Sequence, residues 1–189
     1  MKTLFSQLET KIREQGYSTY LVPLDEKKES HQIIVSLNDG NELTLTILYL
    51  GDLLNLRVDE EELSTLSQEF QESNVDFLQL FVRFPIEIQE DSIPGLARLI
   101  LMANWSTPIG AFGLNESQKF IYYRHVFESM GGEPGVDVVI EAINAMAYYA
   151  RVRFESLALI ASGGKTLEAF LNELEEQGLK SEEFPGYDL

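Results

Sequence analysis

Cysteine is absent from the 189-residue chain, which removes disulfides, thiolate zinc sites and thiol nucleophiles together. A chain without cysteine suits a reducing compartment. Histidine is scarce: only His31 and His125 occur, too few for a catalytic zinc site that draws mainly on imidazole. Basic residues are also few, 14 Lys and Arg against 31 Asp and Glu, for a formal charge of −17. Nucleic-acid binding exchanges phosphate counterions for Lys and Arg, so this balance argues against it. The same field repels anionic lipid headgroups. Long apolar runs are missing too, since Arg98, Asn104 and Glu155 interrupt the longest ones, so no transmembrane span is expected. "MKTLFSQLETKIREQG" has too short an apolar run for a signal peptide and reads as an amphipathic helix. The expected location is therefore the cytoplasm. In that setting the two N-x-S triplets, at Asn104 and Asn115, are chance matches.

What remains has the composition of an ordered domain, 44% hydrophobic and 24% charged. Leu4, Phe5, Leu8 and Ile12 share a helical face that ends at Gly16. "STYLVPL" and "HQIIVSL" then read as strands, and Asp39-Gly40 signals a hairpin into "ELTLTILYL". The inward residues are Ile33, Val35 and Leu37, answered by Leu43, Leu45, Ile47 and Tyr49. "DEEELSTLSQEF" has helical spacing, and "VDFLQLFVRFPIEI" returns to strand periodicity with Leu78, Leu80, Val82, Phe84 and Ile86 on one face. A helix capped by Asp91 or Ser92, with Pro94 in its first turn, runs to about Asn104. "ANWSTPIGAFGL" is the junction from that helix to a hairpin of strands near 108–114 and 119–127. Pro108 stops the helix there, and Trp105 is expected as a core or interface aromatic. A long helix over 137–161 ends at Gly163-Gly164, and Thr166 caps a last helix. The expected fold is α+β, an antiparallel sheet with helices packed on it. It comprises one domain over 1–161, an additional C-terminal helix over 162–178 and a mobile tail over 179–189.

Motifs for chemistry are thin. "SGGKT" at 162–166 resembles the end of a phosphate-binding loop, but Leu159 stands where that loop needs glycine, and a helix precedes it rather than a strand. The carboxylates of "DEEE" at 59–62 point in successive directions around a helix and form no acid–base pair. Ser106 and Thr107 lack a nucleophile-elbow context. Neither a catalytic set nor a cofactor or metal site is expected.

Apolar residues on faces that should be wet are the more informative feature. Phe77 and Phe81 lie opposite the inward face of their strand. Strand 119–127 is apolar on both faces, with Ile121 and Tyr123 opposite Phe120, Tyr122 and Val126. The long helix carries a main stripe through Val139, Ile143, Ala147, Ala150, Phe154 and Leu157, and a second through Tyr148, Val152 and Leu159. Phe77, Phe81, Ile121, Tyr123, Tyr148 and Val152 are thus the candidate protein-binding residues. The expected partners are a protein or peptide client and a second copy of the chain. The alternative is a small-ligand binder or enzyme that gathers carboxylates around His125.

The order helix, three strands, helical excursion, strand, helix, hairpin, long helix resembles that of type III secretion chaperones. It also resembles the YbjN-type domains, bacterial and sensory-transduction-regulator-like. "LARLILMANWSTPIGAFGLNESQKFIYYRHVF" carries the local likeness: an apolar helix ending in Ala-Asn, a short strand, a turn, and a strand of the form x-I-x-Y-R. The resemblance spans about residues 1–161. It implies a small, acidic, cofactor-free homodimer that holds an extended segment of another protein over its surface. The helix over 166–177 and the excursion at 59–70 stand outside the shared pattern.

Overall fold

The computed structural model describes residues 2–23, 31–37, 43–49, 75–130 and 134–178. The expected hairpin turn at 38–41, the helix at 59–70 and the tail at 179–189 lie outside these residues. Among those described, helix α1 (Lys2–Glu14) precedes strands β1 (Ser18–Pro23), β2 (His31–Ser36), β3 (Thr44–Tyr49) and β4 (Val75–Arg83). A 3-10 turn (Glu90–Ser92) leads into α2 (Ile93–Trp105), and strands β5 (Ala111–Asn115) and β6 (Phe120–Met130) follow. Helices α3 (Val136–Ala161) and α4 (Leu167–Glu176) complete the order. The strands form a six-stranded antiparallel sheet in the order β1-β2-β3-β4-β6-β5, so the fold is α+β with a long C-terminal helix and a short one after it.

The chain divides into two compact units. Met1–Phe81 with His125–Asn144 form the first, and Val82–Arg124 with Ala145–Leu189 the second. In the first unit, Ile33 pairs with Ile47 and Val35 with Leu45 across antiparallel strands. Strand side chains alternate faces, so this register gathers the apolar set on one side. Leu37, Leu43, Leu78 and Leu80 are fully buried with it. Helix α1 packs on β1 and β2 and buries Phe5, Leu8 and Ile12, while α3 contributes Val139 and Ile143. Gly16 takes φ +88, the left-handed conformation that ends α1.

The second unit is built around aromatic rings. Phe112 on β5 stacks on Tyr123 of β6 at 4.2 Å between centroids, and Phe84 lies 5.9 Å from Phe112 and 6.3 Å from Phe154. Helix α2 buries Leu96, Leu99, Ile100 and Ala103. The expected face of β4 holds through Phe84, but the strand ends at Arg83 and Ile86 is only half-buried; Ile88 takes the buried place beyond it. Ser92 starts α2 without a side-chain cap, because its hydroxyl is shared between the carbonyls of Gln89 and Ala161. At 26 residues, α3 is about 39 Å long. Thr166 caps α4 by accepting from the Ala169 amide at 3.2 Å.

Candidate functional site

Tyr148 and Val152 stand one turn apart on α3, 59% and 44% exposed. On α2 an unforeseen pair does the same: Leu101 is 71% exposed and Trp105 67%. Trp105 is therefore a surface aromatic, not a core one. The reason lies in the helix phase. Leu96, Leu99, Ile100 and Ala103 turn one face of α2 inward, and the i, i+4 row of Leu101 and Trp105 falls outside it. The end of α2 is tied to the middle of α3 by Arg153, itself buried, whose Nη2 donates to Ser106 Oγ at 2.6 Å. The two exposed pairs belong to the same unit. Helix α4 does not cover them. Its buried Leu167 packs at the other end of α2, where a methyl group on Gly95 would lie 3.5 Å from Leu167 Cβ.

The other sequence candidates fall differently. Ile121 and Tyr123 are fully buried, which removes them from any binding surface. With both faces of β6 apolar, alternation could not tell inside from outside; the stack of Phe112 on Tyr123 decides it. The Tyr123 hydroxyl donates to the Ile109 carbonyl at 2.6 Å. Burial, and then the nearby Tyr149 phenol, push its pKa far above the usual tyrosine value. Phe77 and Phe81 are half-buried. Tyr148 and Val152 are the exposed candidates in the second unit, joined there by Leu101 and Trp105, while Phe77 and Phe81 in the first keep part of their surface.

Chemical groups are engaged in structure. The Ser106 and Thr107 hydroxyls both donate to the Ala103 carbonyl, at 3.1 and 2.7 Å. His125 is half-buried with its ring edge-on to Phe127 at 4.6 Å, and burial lowers its pKa. No group of three or more His, Asp or Glu among the described residues could hold a metal ion. A surface cavity of about 640 Å³ lies in the second unit, between Gln89–Arg98 and Ile160–Glu168. Its two cations are both in ion pairs, Arg98 with Glu168 at 2.6 Å and Lys165 with Glu173. The "SGGKT" letters are spent in the same place: Gly163 at φ +70 follows α3, Thr166 caps α4, and Lys165 reaches Glu173.

One further contact was invisible to periodicity. Asn104 Oδ1 accepts from the Phe112 amide at 2.7 Å, and its Nδ2 donates to the Phe112 carbonyl at 2.9 Å. A side-chain amide thus takes the place of a neighbouring strand along β5, the last strand of the sheet.

Charge is distributed unevenly. The chain spans of the first unit hold 6 Lys and Arg against 19 Asp and Glu, and those of the second hold 8 against 12. No helix among the described residues is long and apolar enough to cross a membrane. No family model matches this sequence, and no curated protein matches it.

Proposed function

We propose that this chain is a non-enzymatic, cytoplasmic protein-binding domain, a chaperone-like or regulatory adaptor that forms a homodimer and holds a protein or peptide client. The observation that carries the reading is the exposed set Leu101, Trp105, Tyr148 and Val152. Aromatic residues in such a set are the usual energetic anchors of interfaces. Burying ~400 Å² of apolar surface there would release about 10 kcal/mol before association costs. The set lies in the unit with the milder acidic excess, so two copies can meet on it with less repulsion than elsewhere. The strand and helix order and the acidity support the likeness to YbjN-type and type III secretion chaperone domains.

The test uses the lone tryptophan. Sedimentation equilibrium should show a dimer, and Trp105 emission should shift to the blue as concentration rises. Replacing Trp105→Gln and Tyr148→Gln together should release monomers, each truncation costing about 2 kcal/mol. A monomer at every concentration, with an unmoved emission spectrum, would remove the dimer from the proposal and this surface with it.

A further inference from the structure

We infer that the outer edge of β1 accepts an extended, lysine- or arginine-bearing polypeptide segment as an added strand. The inference rests on the protein-binding reading and names the chemistry of the client and where it docks. β1 ends the strand order, and among the described residues its one strand neighbour is β2. An edge strand presents a row of unpaired N–H and C=O groups, which proteins block with charges, prolines, bulges or a covering element. "STYLVP" carries no charged residue, and its proline comes last. Its pairing with β2 runs from Ser18↔Ser36 to Pro23↔His31 without a bulge. Tyr20 and Leu21, on opposite faces of the strand, are 62% and 46% exposed, so an incoming strand finds an apolar neighbour on each face.

The other edge shows what blocking looks like. On β5, Asn104 occupies both backbone groups of Phe112. On β1 the nearest equivalent is Arg13. Its Nε donates to the Thr19 hydroxyl at 2.8 Å, and its Nη2 reaches the Thr19 carbonyl only at 3.5 Å, the outer limit of a hydrogen bond. No comparable bond covers Tyr20–Val22 among the described residues.

Charge selects the occupant. β1 belongs to the unit whose spans hold 6 basic and 19 acidic residues. A second copy would bring the same excess against itself, whereas a basic segment is drawn in by it. Main-chain bonds would supply affinity without sequence preference. Alternation would then place apolar side chains beside Tyr20 and Leu21 and leave lysines between and beyond them.

The experiment is fluorescence anisotropy of the full chain with blocked, dye-labelled peptides that alternate valine with lysine. Parallel arms carry glutamate for lysine, or N-methylation on one or the other alternate set of backbone nitrogens. The lysine peptide should bind, more weakly as salt rises, and the glutamate peptide about tenfold or more weaker. Methylating one alternate set should abolish binding while the other set is tolerated, which general charge attraction would not produce. Tyr20→Lys with Leu21→Lys should lower affinity about tenfold or more. If that variant fails to fold, the methylated peptides still decide. Binding indifferent to methylation, no binding of the lysine peptide, or a dimer that Leu21→Lys dissociates would each overturn the inference. The first two results leave the Trp105 surface and its dimer standing; loss of that dimer alone would leave the edge inference standing.

Discussion

Asn104 offers the sharpest test of how the second unit is held together. Asn104→Ala removes two hydrogen bonds of 2.7 and 2.9 Å and leaves the Phe112 N–H and C=O without their partner. Each bond is worth about 1 kcal/mol net, and a backbone group left unsatisfied costs about 1–3 kcal/mol more where water is excluded. The site is half-buried, so water repairs part of the damage and the expected loss is about 2 kcal/mol. Urea denaturation followed by circular dichroism reads that loss, and amide exchange at Phe112 should accelerate roughly thirtyfold.

Asn104→Asp sharpens the argument. The carboxylate can still accept from the Phe112 amide, but its second oxygen then faces the Phe112 carbonyl with no proton between them. Only the protonated acid reproduces the native pair of bonds. Its folded pKa should therefore lie above the unfolded carboxyl value of about 3.9. The sign follows directly: the native state holds the proton more tightly, so stability is present at low pH and is lost as pH rises through the folded pKa. A loss below about 0.5 kcal/mol in Asn104→Ala, the range of a neutral surface change, with no pH signature in Asn104→Asp, would refute the clamp.

Two other perturbations probe the same unit. The raised pKa of Tyr123 means that the unfolded chain gives up this proton first. Stability is thus full below about pH 10 and falls as pH climbs above it. Tyr123→Phe should flatten that alkaline decline while costing about 1–3 kcal/mol at neutral pH, since the Ile109 carbonyl loses its donor; an unchanged alkaline profile would count against the assignment. Gly110 sits at φ +64, and a Cβ there would lie 2.6 Å from the Arg124 carbonyl oxygen. Gly110→Ala should lower stability by about 2 kcal/mol in thermal or urea unfolding, and a neutral result would show that the hairpin can shift to make room.

The fold was legible where one periodicity dominates a segment. Ile33, Val35, Leu45 and Ile47 alternate cleanly and are all buried, because one face of the strand is apolar and the other is not. Gly16, Gly163 and Thr166 marked helix ends through backbone and capping requirements that act within a few residues. Legibility failed where both faces are apolar, as in β6, since alternation cannot say which face meets Phe84 and Phe112. For Trp105 it stopped at core or interface, although the row Leu101–Trp105 lies outside the stripe defined by Leu96, Leu99, Ile100 and Ala103, which puts the side chain at the surface. That offset was the available signal. The Asn104 clamp had none: it links a helix end to a strand eight residues on, and polar contacts of that kind leave no period.

The contrast between β5 and β1 bears on function because unblocked edges carry a standing risk of aggregation. Where this chain could close an edge with one asparagine it did so. Among the described residues Tyr20–Val22 on β1 stay uncovered, which a strand arriving from another chain would account for. An acidic surplus of the size found in the first unit keeps identical edges apart and admits basic ones. In this reading the same charge that argues against nucleic acid and anionic membranes gives the open edge its selectivity. The test separates an open edge from a blocked one, since an edge blocked by the chain's own residues would leave any binding of the lysine peptide indifferent to which backbone nitrogens are methylated.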